Sequence, residues 1–153
     1  MPLAGLLQEV VAEARALSAG AHQFSLQAAD SLTLLGSRSE LHSAIGNLAS
    51  NAVRYTPSGG KIIIAWQDQE DGGGVLSVCD DGIGIEAQHL PRLTERFYRV
   101  DRGRSRQSGG TGLGLAIVKH VLTRHQASLE IESKPGEGSC FRLRFPARRV
   151  SVA

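Results

Sequence analysis

Apolar residues recur at helical spacing in three stretches of the chain. The first stretch covers residues 3–17 and comprises Leu3, Leu6, Leu7, Val10, Val11, Ala14 and Leu17, which predicts an amphipathic helix with these residues in the core. Ser37 followed by Glu40 is a capping-box signature, and the helix that it opens is expected to run to about Arg54. A nearly all-apolar stretch at 113–122 predicts a third helix, which we expect to be buried.

Short stretches rich in β-branched and alternating apolar residues predict six strands, at 24–27, 32–35, 61–68, 74–80, 128–133 and 139–146. The third and fourth strands, and likewise the fifth and sixth, are separated by short turn sequences and are expected to form hairpins. Residues 81–111 show little periodicity, and a long irregular segment in a compact domain is usually functional or mobile. Grouped strands with helices between them predict an α+β fold: a two-layer sandwich with a mixed, mostly antiparallel sheet and helices on one face.

Length and composition fit one soluble domain over residues 1–153. The net charge of +2 is too small to indicate nucleic-acid binding, although clusters of basic residues at 92–106 and 142–149 are compatible with a local anionic ligand. No apolar stretch approaches the length of a membrane span, and the first residues do not resemble a signal peptide. We therefore expect a cytoplasmic location for this chain.

The two cysteines, Cys79 and Cys140, lie in apolar strand-like stretches without the spacing of metal ligands. Free cysteines are among the most buried residue types, and cytoplasmic thiols stay reduced. The sequence therefore predicts two buried, free thiols.

Asn47 and Asn51 lie four residues apart on the second predicted helix and share one face, which Arg54 and Tyr55 extend by a turn. An amide oxygen suits Mg²⁺, a guanidinium binds phosphate and an aromatic ring can cover a base. The alternative is a pair of solvated amides near the end of a helix.

A second group of candidate residues, at 80–85, directly follows a predicted strand. Asp80 at the strand end offers a carboxylate that can accept a hydrogen bond, while Gly82 and Gly84 permit close approach of the backbone to a ligand. Gly82, Gly84 and Ala87 also fit a dinucleotide-binding GxGxxA pattern, but its context fails because Pro91 interrupts the helix that should follow. An acidic turn without a ligand is the remaining alternative.

A glycine-rich sequence at 109–115 opens the third predicted helix. Free amides at a helix N-terminus bind anions, and glycine leaves room for phosphate. No lysine follows in the Walker pattern, so the sequence is not a P-loop. A flexible hinge is the alternative interpretation.

Taken in order, these motifs resemble the N, G1, F and G2 boxes of the catalytic domain of sensor histidine kinases, within the ATPase superfamily shared with gyrase, Hsp90 and MutL. The F box corresponds to residues 95–99, and residues 136–141 resemble a further glycine motif. The resemblance covers about residues 3–147 and is strongest to phosphate-regulon sensor kinases. It implies the Bergerat ATP-binding fold, ATP and Mg²⁺ as cofactors, and transfer of the γ-phosphate to a histidine of a partner.

The resemblance also implies roles for individual residues. Asn51 would bind Mg²⁺ with Asn47 assisting, and Asp80 would accept the adenine amino group, which selects ATP over GTP. Residues about 99–111 would form a lid over ATP. The residues implied in nucleotide binding are Asn47, Asn51, Arg54, Tyr55, Asp80, Gly82, Gly84, Ile85, Arg99, Arg106, Gly110, Thr111, Gly112, Leu113, Gly114 and Leu115, and those implied in catalysis are Asn47, Asn51 and Arg99.

The sequence departs from the family pattern in ways that affect which partners we expect for the chain. None of the five histidines has the His-Glu or His-Asp helical context of a phosphate acceptor, so each is expected to be a surface or packing residue. The chain therefore resembles an excised, monomeric catalytic domain that depends on a histidine-bearing dimerisation domain and acts, through it, on a response regulator. Gyrase-type relatives have a glutamate where Asn47 lies, and an amide cannot activate water, so hydrolysis should be slow. An ATP-gated regulator of anti-sigma type and a slow ATPase clamp are the alternative functions.

Overall fold

Helices and strands interleave along residues 1–28, 32–93 and 114–152, which are the residues described in the computed structural model. The helices are α1 (Leu3–Ser18), α2 (Arg38–Tyr55) and α3 (Gly114–Arg124). The strands are β1 (Gln23–Gln27), β2 (Leu32–Leu34), β3 (Lys61–Asp68), β4 (Gly74–Asp80), β5 (Ser128–Lys134), β6 (Gly138–Phe145) and β7 (Val150–Val152). Short 3-10 helices lie at Ala87–Arg92 and Ala147–Arg149. The predicted α+β class is confirmed.

Five strands form the main sheet in the order β1-β3-β4-β6-β5. The two predicted hairpins are confirmed, because β3 pairs with β4 and β5 pairs with β6, both antiparallel. The pairing of β4 with β6 is also antiparallel, and only β1 runs parallel to its neighbour among the described strands. The sheet is therefore mixed and mostly antiparallel, as predicted.

A second, two-stranded sheet was not foreseen. β2 pairs antiparallel with β7, so that Leu32 lies opposite Val152 and Leu34 opposite Val150. The sequence pattern predicts β2 but not β7, which has only three residues. Residues 29–31, between β1 and β2, lie outside the described residues.

The hydrophobic core lies between the helices and one face of the main sheet. Alternate residues of the central strands are almost fully buried, as expected when one face of a sheet is covered. These core positions are Ile62, Ile64, Leu76, Val78, Phe141, Leu143 and Phe145. The intervening side chains lie on the other face, which makes the fold a two-layer sandwich.

Local sequence explains where α1 ends and where α2 begins. The Ser37 side chain accepts a hydrogen bond from the backbone N–H of Glu40 at 3.3 Å, which confirms the predicted cap of α2. Ala19 ends α1 in the left-handed conformation with φ 53°.

The prediction that Leu17 belongs to the core is wrong: it is 55% exposed. Its neighbours at helical spacing pack against α2, whereas Leu17 lies at the margin of that contact.

The prediction that α3 is a buried helix holds for one side only. Val118, Val121 and Leu122 are buried, but Ile117 is 41% exposed and Lys119 is exposed. One face of α3 contacts α2 and β5, and the side chains on the opposite face are exposed. A short apolar sequence predicted burial, but only one side of the helix meets the core.

Cys79 and Cys140 are not the buried free thiols that the sequence predicts. The two residues lie directly opposite each other on β4 and β6 and form a disulfide, with their Cα atoms 4.1 Å apart. Both are half-buried, on the face of the sheet away from the helices. The register of the β4–β6 pair, which joins strands 61 residues apart in sequence at this point, brings the two sulfurs together.

No helix in the described parts of the chain is long and apolar enough to cross a membrane.

Candidate functional site

The half-buried Asn47 of α2 lies where the start of α3 meets α2. Its Nδ2 atom donates a hydrogen bond to the Ser43 carbonyl at 2.8 Å, within the same helix. A Cβ atom placed on Gly114, the first residue of α3, would lie 3.0 Å from Asn47 Oδ1. The absence of a side chain at Gly114 therefore lets the N-terminus of α3 approach the amide oxygen of Asn47.

Asn51 and Arg54 share the next turn of the same helical surface. Arg54 Nη1 lies 3.4 Å from Asn51 Oδ1, a long hydrogen bond between an exposed guanidinium and a half-buried amide. The amide oxygen is thus free to exchange this weak local contact for a stronger ligand. These residues and Asn47 form one polar surface on α2, as the spacing in the sequence predicts.

Asp80 ends β4 as a half-buried carboxylate. Burial raises the pKa of Asp80 above its ordinary value, because it disfavours the charged form. The backbone N–H of Gly82, 2.9 Å from Asp80 Oδ1, opposes this effect and lowers the pKa, as do the backbone N–H of Ser139 and the nearby Thr56 hydroxyl. The result is a carboxylate that is partly shielded from water yet held in place by backbone donors.

The loop after β4 packs against the C-terminal end of α2. A Cβ on Gly82 would lie 2.3 Å from the carbonyl oxygen of Tyr55 and 3.0 Å from Thr56 Cα, which are backbone atoms that cannot easily move. The N–H of Ile83 donates to the same Tyr55 carbonyl at 3.2 Å. The structure thereby brings the aspartate motif and the end of the asparagine motif together, and only glycine fits at position 82.

Gly84 and Ile85 are held by the β5–β6 hairpin. Gly84 has φ +74°, and a Cβ there would lie 2.0 Å from the Lys134 carbonyl oxygen. The N–H of Ile85 donates to Ser133 Oγ at 2.7 Å, and Ser133 Oγ lies 2.6 Å from Ser139 Oγ. The sequence does not predict that either serine supports the site, because serines in alternating strands carry no local signal of a long-range contact.

Thr56 is a further residue of the site that the analysis of roles missed. It is 4% exposed, and its Oγ1 atom has no hydrogen-bond partner of normal geometry among the described residues, although it lies close enough to Asp80 to lower the pKa of that carboxyl. Its carbonyl oxygen lies 2.6 Å from His22 Nε2, which in turn is fixed by Ser18 Oγ, 2.8 Å from the Nδ1 atom. A buried hydroxyl without a partner is costly and is usually explained by a ligand or water.

The buried His125 and the half-buried His22 both have internal hydrogen bonds. His125 Nε2 accepts from the Ser37 N–H at 3.0 Å, and its Nδ1 lies 2.8 Å from the Val121 carbonyl. Because a carbonyl can only accept, Nδ1 donates to Val121 while Nε2 accepts from Ser37. The packing role predicted for these histidines is confirmed.

Several predicted site residues lie outside the described residues: Arg99, Arg106, Gly110, Thr111, Gly112 and Leu113. The same holds for the predicted lid at about 99–111 and for the F-box segment at 95–99. Leu115, in the first turn of α3, is partly buried and packs against the core.

The described residues fit a nucleotide. They include a half-buried carboxylate at Asp80, a buried hydroxyl beside it at Thr56 and two amides on α2, and glycines at 82, 84 and 114 let the surrounding protein atoms pack closely. The profile of the family described as histidine kinase-, DNA gyrase B- and HSP90-like ATPases matches residues 36–149, about three quarters of the chain. The chain belongs to this ATPase family.

The relatives of this ATPase domain include named sensor kinases. The phosphate regulon sensor protein PhoR of Pseudomonas aeruginosa is 56% identical over 149 residues, which cover 97% of this chain and 33% of the relative. The sensor-like histidine kinase SenX3 of Mycolicibacterium smegmatis is 48% identical over 114 residues, or 74% of this chain and 29% of that protein. The chain therefore spans about a third of the length of these relatives.

Solved structures give the same assignment. The mycobacterial sensor histidine kinase MprB superposes with a TM-score of 0.83 at 25% identity, over 95% of each chain. Full-length ShkA in complex with AMPPNP superposes with a TM-score of 0.80 at 25% identity, over 100% of this chain and 32% of ShkA. The ATPase-family fold of the chain is thus seen in the histidine kinases as well as in the family profile.

Proposed function

We propose that this domain binds ATP with Mg²⁺ and presents the γ-phosphate to a histidine on the helix hairpin of a partner domain, as part of a two-component sensor kinase. The observation that carries the proposal is the half-buried Asp80 carboxylate, held by the Gly82 N–H at 2.9 Å beside the end of α2. Membership of the ATPase family and the names of the relatives support the same reading.

The base would be recognised by Asp80. An ionised carboxylate accepts hydrogen bonds only, so it favours the amino group of adenine over the carbonyl that guanine has in the same place. Tyr55, half-buried at the end of α2, offers an aromatic ring for the base. Thr56, buried beside the carboxylate, adds a hydroxyl that can donate or accept.

Metal and phosphates would be held by the polar surface of α2. Asn51 offers an amide oxygen to Mg²⁺ and Arg54 offers a guanidinium to phosphate, with Asn47 assisting. Bound ATP supplies the phosphoryl group. The protein's contribution is to position the reactants and neutralise charge. Because Asn47 cannot take a proton from water, hydrolysis should stay slow.

The acceptor histidine would come from a partner. His22 and His125 are tied into internal hydrogen bonds, and His42 Nε2 lies 3.0 Å from a carboxylate oxygen of Glu13. The chain would therefore pair with a histidine-bearing dimerisation domain and act through it on a response regulator. We expect the isolated chain to be a monomer. We expect the whole kinase to act on the cytoplasmic side of the membrane.

Incubation with radioactive γ-phosphate-labelled ATP tests the proposal. The isolated chain should bind ATP without labelling itself. Addition of a histidine-bearing helix hairpin from a related sensor kinase should produce acid-labile label on the hairpin alone, and slowly, because the two parts are not tethered.

Two variants of the chain test whether labelling of the hairpin depends on the proposed site. Asn51→Ala should abolish labelling of the hairpin, whereas Gln67→Ala, on the far end of β3, should leave it unchanged. Acid-labile phosphate on a histidine of the isolated chain would contradict the assigned role of the partner. Absence of ATP binding would contradict the proposed function as a whole.

A further inference from the structure

The disulfide between Cys79 and Cys140 lies on the open face of the main sheet. The two residues face each other across β4 and β6, and both are half-buried. The side chains beside the two cysteines on this face are Ile63, which is 38% exposed, and the exposed Glu132, which pairs with Arg142 at 2.8 Å. A small thiol or disulfide in solution can therefore reach the two sulfurs, which are not sealed inside the core.

The next residue pair along the same two strands belongs to the candidate nucleotide site. Asp80 lies opposite Ser139, whose backbone N–H interacts with the Asp80 carboxylate. The Ser139 hydroxyl lies 2.6 Å from Ser133 Oγ, and Ser133 in turn accepts the N–H of Ile85 at 2.7 Å. One step from the sulfurs, the β4–β6 pair thus supports both the carboxylate and the loop that follows it.

We propose that Cys79 and Cys140 are a reversible thiol–disulfide site that sets the nucleotide affinity of the domain, with the disulfide as the tighter-binding state. The inference rests on the proposed function. Two thiol sulfurs need van der Waals separation, whereas bonded sulfurs lie about 2.05 Å apart. At a Cα separation of 4.1 Å, reduction requires the side chains to turn away or the strands to part. A parting of the strands loosens the contact between the Ser139 N–H and the Asp80 carboxylate, because Asp80 and Ser139 are the next pair along β4 and β6.

The chemistry needs a low-molecular-weight disulfide as the oxidant. The thiolate of one cysteine attacks it, forming a mixed disulfide and releasing one thiol. The thiolate of the other cysteine then attacks the protein sulfur of the mixed disulfide and releases the second thiol, so two protons and two electrons pass from the protein to the oxidant. Reduction by a small dithiol runs the same exchange in reverse.

Coupling between the two sites must be reciprocal. If the disulfide form binds ATP more tightly, then ATP must stabilise the disulfide against reduction by the same factor. A disulfide that merely braces the sheet, without affecting the site, would show no such response to nucleotide. The effect of ATP on the thiol–disulfide equilibrium is therefore a readout that a purely structural bond does not move.

The test uses the unmodified chain in buffers of oxidised and reduced glutathione at graded ratios. Alkylation of free thiols and mass measurement give the oxidised fraction, and calorimetry gives ATP affinity in the fully oxidised and fully reduced states. We expect reduction to weaken ATP binding by about fivefold, at the low end of typical coupling between sites. ATP should shift the equilibrium toward the disulfide by the same factor, and GTP should not.

Cys79→Ser and Cys140→Ser serve as matched controls, and each should bind ATP with the affinity of the reduced chain in either buffer. Equal ATP affinity of the oxidised and reduced wild-type chain would overturn this proposal alone, as would failure of the disulfide to form at any glutathione ratio. Tighter binding by the reduced chain would also overturn it. Absence of ATP binding in both states would overturn the proposed function and this inference with it.

Discussion

The two ends of the candidate site are held in different ways. The base end, consisting of Thr56, Asp80 and Gly82, is joined by contacts between segments far apart in sequence, and much of it is buried. The polar groups of the phosphate end, consisting of Asn47, Asn51 and Arg54, make their hydrogen bonds within α2 and face solvent.

This difference suggests that the base end and the phosphate end have different roles. The base end is built before ligand arrives, so the fold itself supplies its geometry and a change there disturbs both structure and binding. The phosphate end consists of side chains whose local bonds are weak and exchangeable, so a change there should affect the binding of charged ligands with little effect on the fold. Variants at the two ends can separate these effects.

The largest effect is expected from Gly82→Ala. Its Cβ would lie 2.3 Å from the Tyr55 carbonyl oxygen, and overpacking of this kind costs about 1–3 kcal/mol. Urea unfolding should show that loss of stability, and ATP titration should show weaker binding. Gly5→Ala, on α1 with no atom within 4 Å of the new Cβ, is the control and should stabilise by about 0.5–1 kcal/mol. A Gly82→Ala chain that is as stable as wild type and binds ATP equally would refute the preformed base end.

An intermediate effect is expected from Asn51→Ala. Loss of one amide oxygen should weaken Mg·ATP binding by about 1–2 kcal/mol, while the free energy of unfolding stays within about 0.5 kcal/mol of wild type. Ser43→Ala, on the exposed surface of the same helix, is the control and should change neither quantity.

Calorimetry without nucleotide tests how Mg²⁺ binds to the phosphate end. One amide oxygen cannot form a protein cage, so Mg²⁺ should arrive with phosphates and water. Calorimetry of the chain alone with Mg²⁺ should show little heat. Tight binding of the metal in the absence of nucleotide would contradict this account of the phosphate end.

The smallest effect concerns pH. Because burial raises the pKa of Asp80, protonation should begin at a higher pH than for an ordinary aspartate as the solution is acidified. ATP affinity should then decline, since a protonated carboxyl is a poorer acceptor. The folded state binds this proton more tightly than the unfolded state, so the same protonation favours folding. ATP titrations across mildly acidic pH should show the decline in wild type and not in Asp80→Asn. Matching pH profiles of the two chains would contradict the claim that protonation of Asp80 causes the decline.

Local features of the fold could be predicted from sequence. The cap at Ser37 and the β3–β4 and β5–β6 hairpins depend on residues close together in the chain, and all are confirmed. The asparagine spacing on α2 likewise predicted one polar surface. In each case the interacting residues lie within one element or two adjacent ones.

Features that depend on distant pairing could not be predicted. β2 pairs with β7 from the other end of the chain, and Ser133 supports Ile85 across 48 residues. The Cys79–Cys140 bond follows from the register of two strands that are not neighbours in sequence. Periodicity says which face of an element is apolar, but it does not say which element will cover it, so the exposure of Leu17 was also missed.

Asp80 is the residue on which the account depends most, and nucleotide titration of wild type and Asp80→Asn tests it most directly. Calorimetry should show that wild type binds Mg·ATP much more tightly than Mg·GTP. Asp80→Asn should lose about 1–3 kcal/mol of ATP binding, the value of a hydrogen bond to a charged group, and should discriminate less against GTP, because its amide can donate to the guanine carbonyl. Equal affinity of the wild-type chain for ATP and GTP would contradict the central claim that the base end selects adenine.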